Sequence, residues 1–135
     1  MDDRVIQGPD PLVEIGDIEE SPGLDAIRAY ADLSSQGKRV VLVTVVGAEG
    51  SVPRGMGAAM AVREDGSIVG TVGGGNLELL LIGHAMEALK DGRPRRYRYD
   101  FTGGPGRNIE KSCMGRSEFF VQPSVPRPAL YLSLI

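Results

Sequence analysis

The stretch that most limits the fold is Gly70-Thr71-Val72-Gly73-Gly74-Gly75-Asn76-Leu77-Glu78. Three consecutive glycines bury no side chain, and each loses more backbone entropy on folding than any other residue would. They belong where a chain must turn sharply or let something approach its backbone closely. An apparent strand precedes them and a helical run, residues 77–90, follows, with Asn76 placed to cap it. The block reads as strand, tight glycine turn and capped helix. A helix N-terminus carries unpaired N–H groups and a partial positive charge, which suits an anionic ligand. Glu78 in the first turn opposes this with its own charge, and glycine turns also join strands to helices with no ligand at all. The spacing is not GxGxxG and lacks the Lys and Ser/Thr of a phosphate loop, so neither nucleotide fingerprint applies.

The rest of the chain is read outward from this block. Residues 1–20 are acidic and broken by Gly8-Pro9-Asp10-Pro11, which reads as a flexible arm. Ser21-Pro22 has the form of an N-cap followed by Pro at the first helical position. Leu24, Ile27, Tyr30 and Ala31 then make an apolar stripe at helical spacing, with Gly37 where a helix stops, giving a first helix over residues 22–36. Residues 39–46 (Arg-Val-Val-Leu-Val-Thr-Val-Val) form a β-branched run suited to a central strand buried on both faces.

A long loop, 47–57, leads to a strand over 58–62, a hairpin signal at Asp65-Gly66 and a return strand over 67–72. The second helix, 77–90, closes at Asp91-Gly92. Residues 93–101 alternate Tyr97, Tyr99 and Phe101 with Arg96, Arg98 and Asp100, the pattern of a half-buried strand. A second glycine-rich loop, 102–116, precedes a last strand over 117–122. The expected fold is a single α+β (mixed α/β) domain over residues 21–123, a mixed sheet with two packed helices, and no Rossmann domain. Residues 124–135 read as a Pro-rich, apolar C-terminal tail.

Composition narrows the function. A net charge of -3 argues against nucleic-acid binding, which needs a basic footprint. One cysteine excludes an internal disulfide framework and a Cys-based zinc cluster. No stretch reaches membrane-spanning length and no signal peptide is evident, so the cytoplasm is the expected location. The one histidine, His84, falls mid-helix without an obvious partner and reads as a solvent-facing or core-edge residue. Cys113 lies between Lys111 and Arg116, an electropositive setting that favours the thiolate. Such a thiolate can ligate a soft metal or carry sulfur, and a buried, inert cysteine is the plainer alternative. Should loops 47–57, 73–76 and 102–116 meet, they would offer backbone N–H groups, the Ser51 hydroxyl, the Arg54 fork and this thiol to a phosphate-bearing ligand.

On these residues the chain resembles a known family. Gly50-Ser51-Val52-Pro53-Arg54 with Gly57-Ala58, then Asp65-Gly66, then the glycine block through Glu78, resemble the N-terminal domain of the XdhC/CoxI family over residues 24–122. The resemblance implies an accessory factor that binds molybdenum cofactor (molybdopterin) as cargo. Such a factor protects the cofactor during sulfuration and helps insert it into an apo-enzyme of the xanthine dehydrogenase or carbon monoxide dehydrogenase type. By motif position it points to Ser51, Pro53, Arg54, Gly73, Gly74, Gly75, Glu78 and Cys113, with Asn76 beside them, as cofactor-binding residues. No metal ligand or complete catalytic set is implied, so a maturation factor is expected rather than a turnover enzyme.

Two departures stand out. The family pattern Cys-Gly-Gly is Cys113-Met114-Gly115 here. Longer members continue into a Rossmann-like domain, whose first strand residues 127–135 resemble before the sequence stops; a Rossmann-domain partner in trans is one expectation and a homodimer another. Two other readings stay open: an interaction or dimerisation module with no ligand of its own, and an enzyme that modifies the cofactor through Cys113.

Overall fold

The computed structural model describes residues 22–101 and 115–125. Within them the chain runs α1 (Leu24–Ser35), β1 (Val40–Glu49), β2 (Ala59–Arg63), β3 (Ile68–Gly70), α2 (Gly75–Asp91), β4 (Arg95–Asp100) and β5 (Arg116–Pro123). The five strands form one sheet in the order β3-β2-β1-β5-β4. The α+β class, the element order and the central place of β1 agree with the sequence reading.

The sheet is antiparallel at every pairing rather than mixed. The reason lies in the crossover through α2. It connects two strands that run the same way, β3 and β4, but delivers them to opposite edges with three strands between them. Parallel neighbours never meet.

β1 alternates its side chains between two cores. Val41, Val43 and Val45 face α2 together with Met60, Val62, Phe119 and Val121, meeting Leu77, Leu81, Ala85, Ala88 and Leu89 of the helix. Val40, Ala59 and Ala61 face α1 on the other side, with Leu42 and Val69 at the margin. On β4, Tyr97 and Tyr99, followed by Phe101, pack against the α2 core while the interleaved Arg96, Arg98 and Asp100 are exposed, as the alternation requires.

α1 departs from the predicted stripe. Leu24 and Ile27 are 39% and 44% exposed, and the residues that face the sheet are Ala26, Ala29, Tyr30 and Leu33. At Ala26 the helix lies too close for a larger side chain: a Cβ at Gly70 of β3 would stand 3.1 Å from Ala26 Cβ. The helix also starts later than predicted, with Gly23 at the N-cap and Pro22 outside it. Gly23 is buried where a Cβ would run into the Gly57 carbonyl oxygen and stand 2.9 Å from Ala59 Cβ. Ser21, the predicted cap, lies outside the described residues, as do the arm, 1–20, and residues 126–135 of the tail. The C-terminal stop is as predicted: Lys38 N–H bonds Leu33 O at 2.9 Å and Gly37 N–H bonds Ser34 O at 3.0 Å, with Gly37 at φ +78°.

β1 runs three residues further than predicted, to Glu49, by absorbing a bulge at Val46 between the pairs Val45–Phe119 and Gly47–Glu118. The loop that follows is correspondingly shorter, residues 50–58.

Candidate functional site

Strands β1, β3 and β4 end at the same end of the sheet, where β2 and β5 begin. Loop 50–58, the glycine turn, Phe101 and Gly115 therefore belong to one end of the molecule. Contacts join them. Gly115 N–H donates to Ser51 O at 2.9 Å, and Phe101 N–H donates to Gly115 O at 2.8 Å. Gly115 is buried, and a Cβ there would collide with the Glu49 carbonyl oxygen, so this approach admits only glycine. On the other side Pro53 lies against the glycine turn: a Cβ at Gly73 would stand 3.2 Å from Pro53 Cβ and 3.0 Å from Leu77 Cδ2.

The turn itself uses its glycines differently. Gly73 is there for close approach. Gly74 and Gly75 have φ of +81° and +60°, which side chains other than glycine's resist, yet nothing stands within 4 Å of where their Cβ atoms would be. Their backbone borders open space. Gly74, not Asn76, is the N-cap of α2, with no side-chain cap bond. The left-handed glycines start the helix at Gly75, two residues before the predicted start, and Asn76 sits exposed inside the first turn. The first backbone bond of the helix is Glu78 N–H to Gly74 O at 3.4 Å, so the N–H groups of Gly75, Asn76 and Leu77 precede the ladder.

Of the predicted site residues, Ser51, Pro53, Arg54, Gly73, Gly74, Gly75, Asn76 and Glu78 all occur at this end. Ser51 and Arg54 are exposed, Pro53 half-buried. Among the described residues no carboxylate pairs with Arg54, which leaves its guanidinium available to an anion. Glu78 is half-buried and accepts a hydrogen bond from the Thr71 hydroxyl. Cys113 lies outside the described residues, two positions before Gly115. Two residues that the sequence reading gave no role, Thr71 and Gly115, hold the loops in place. The faint signal for Thr71 was a hydroxyl residue two before a glycine run and seven before a carboxylate.

His84 is elsewhere, at the edge of the core as expected. It stacks on Tyr97, with ring centroids 4.0 Å apart, and its Nδ1 is 3.5 Å from Glu87 Oε1. No group of three His, Cys, Asp or Glu side chains suited to a metal ion exists among the described residues.

The model of the XdhC and CoxI family matches residues 33–100, half of the chain. The chain belongs to that family. It is 39% identical over 89 residues to the molybdenum cofactor insertion chaperone PaoD of Escherichia coli, a match that covers 66% of this chain and 28% of PaoD. It is 34% identical over 102 residues to the uncharacterized protein YqeB of the same organism, covering 76% of this chain and 19% of YqeB. A crystal structure described as a xanthine dehydrogenase from Bacillus halodurans superposes with a TM-score of 0.64 at 28% identity, over 80% of this chain and 33% of that one. The chain thus spans between about a fifth and a third of the length of these proteins. No helix among its described residues is long and apolar enough to cross a membrane.

Proposed function

We propose that this chain is an accessory factor in the maturation of molybdenum hydroxylases, binding molybdenum cofactor as cargo at the end of the sheet where the loops join. The observation that carries the reading is the glycine turn: its backbone borders open space at Gly74 and Gly75 while Pro53 wedges its first residue. A cradle of this kind lets a bulky anionic pterin come within hydrogen-bond reach of main-chain N–H groups. Arg54, next to Pro53 in sequence, supplies the counter-charge, and Ser51 a hydroxyl. PaoD, a chaperone of molybdenum cofactor insertion, supports the cargo assigned here.

In this reading the recipient is an apo-enzyme of the xanthine dehydrogenase or carbon monoxide dehydrogenase type. Cys113, close in sequence to the Gly115–Ser51 bond, takes part in handling sulfur during cofactor sulfuration. A Rossmann-domain partner in trans, or a second copy of this chain, completes the site, and the work is done in the cytoplasm. Exposed Met56, Leu79 and Leu80, on loop 50–58 and the early turns of α2, give the recipient an apolar surface to dock on.

The test is binding of molybdenum cofactor, freshly released from a denatured molybdoenzyme, to the purified chain, to Arg54→Ala and to Cys113→Ser. Stoichiometric binding that weakens in Arg54→Ala is the expected outcome. Wild-type affinity in Cys113→Ser, with loss of sulfurated product, would assign that thiol to sulfur transfer. A folded chain that binds no cofactor, alone or with its partner domain, would leave an interaction module.

A further inference from the structure

Thr71 is hydrogen-bonded on both sides of its hydroxyl. Oγ1 donates to Oε2 of Glu78 and accepts from Gly73 N–H at 3.2 Å. A carboxylate only accepts, so the hydroxyl proton must point at Glu78, which leaves an oxygen lone pair for the Gly73 amide. Glu78 thereby fixes the direction of the whole relay. The relay spans the glycine turn from the strand side to the helix side, and both flanks are anchored: Val72 and Leu77 are buried in the α2 core. Without it, three glycines in succession would sample many backbone states, and ordering them would be charged to ligand binding.

We infer that Glu78 is a positioning residue and not a ligand of the cargo. Acting through Thr71, it holds the turn in the conformation that presents the Gly74 and Gly75 backbone outward. The inference rests on the reading of this turn as the cofactor site. It reverses the role that motif position alone assigns to Glu78, and one observation and one electrostatic argument favour it. The carboxylate already has a partner in Thr71. A second negative charge beside a pterin phosphate would also repel it.

The test has two readouts on the full chain: amide hydrogen exchange of Gly73 without ligand, and affinity for freshly released molybdenum cofactor. Thr71→Val and Glu78→Ala should each speed Gly73 exchange and weaken affinity by about ten- to a hundredfold, the scale of one hydrogen bond to a charged group. The double variant should do no worse than either, because both remove the same relay. Thr71→Ser, which restores the hydroxyl, and Glu78→Gln, which keeps an acceptor oxygen, should recover most of both. Wild-type affinity in Thr71→Val beside a large loss in Glu78→Gln would make Glu78 a direct ligand and overturn the inference. Unchanged Gly73 exchange in both single variants would overturn it too. If the wild-type chain binds no cofactor, alone or with its partner domain, the cofactor reading fails and the positioning role with it, while the exchange rates separately report whether the relay exists.

Discussion

At the scale of single residues, the decisive quantity is how close two backbones come. Gly115 and Gly23 each sit where a Cβ would strike a carbonyl oxygen, of Glu49 and of Gly57 respectively. Backbone cannot yield as a side chain can. Gly115→Ala should therefore cost about 3 kcal/mol or more, the upper end of the overpacking range, read as a lower urea midpoint at unchanged slope. Gly37 is the control. It has φ +78° and open space around it, so Gly37→Ala meets only the intrinsic left-handed penalty, about 1 kcal/mol. A comparable loss in both variants would mean that the approach of Gly115 to loop 50–58 is not tight. These residues also show why a sequence yields such sites unevenly. The glycine triplet was visible because glycines in a run have few explanations. Gly115 and Gly23 are single glycines whose need arises from strands and loops distant in sequence; nothing local marks Gly23, and Gly115 was visible only as the last residue of a family pattern that gave it no role.

At the scale of elements, α1 shows how packing distance overrides periodicity. Leu24 and Ile27 fit a helical stripe as well as Ala26 and Leu33 do, and the larger side chains have the stronger claim to burial on transfer free energy alone. The sheet beneath is lined by Ala59 and Ala61, with Gly70 on β3, so the helix approaches until only alanine fits at position 26, while Tyr30 and Leu33 pack at the margin. Ile27→Gln should then change stability by no more than about 0.5 kcal/mol, whereas Ala26→Leu should cost about 1–3 kcal/mol, both from denaturant unfolding. β4 was legible for the opposite reason. Its alternation of aromatic and charged residues is the pleat itself, and burial follows it residue by residue.

The join between α2 and β4 carries a pH dependence. A hydrogen bond from Arg95 holds the Asp91 carboxyl below its usual pKa, and the same contact raises that of Arg95. A lowered carboxylate pKa contributes stability that is complete above the unfolded value, about 4, and is lost as the pH falls through the folded one. Asp91→Asn should consequently be less stable than the parent at pH 7 and converge with it toward pH 2. The carboxylate is exposed and the guanidinium half-buried, so the effect should shrink in high salt. A stability difference that does not vary with pH would show that the pair contributes only packing.

At the scale of the molecule, the antiparallel sheet gathers the described candidate site residues at one end. The chain order alone suggested a mixed sheet, because a helix joining two strands usually makes them parallel neighbours. The strand order sends β3 and β4 to opposite edges instead. What survives from that expectation is direction: β1, β3 and β4 all finish at one end, and loop 50–58 and the glycine turn, which hold the described candidate site residues, leave from there. α1 lies on the opposite face from α2, over β1, β2 and β3, and contributes none of those residues. Cargo should accordingly leave a confined footprint. In hydrogen exchange with freshly released molybdenum cofactor, protection should rise in residues 50–57 and 71–77 and near Phe101 and Gly115. α1 and the hairpin turn at 64–66 should exchange as they do without it. The hairpin turn is a stringent internal control, because Asp65 already accepts from Ser67 N–H at 2.9 Å and lies at the other end of the sheet. Protection spread evenly over both ends would indicate general stabilisation of the fold, and protection centred on α1 would place the cargo on the wrong face. A footprint limited to the loops that share Ser51, Pro53, Gly73 and Gly115 would make the end of the sheet the cofactor site.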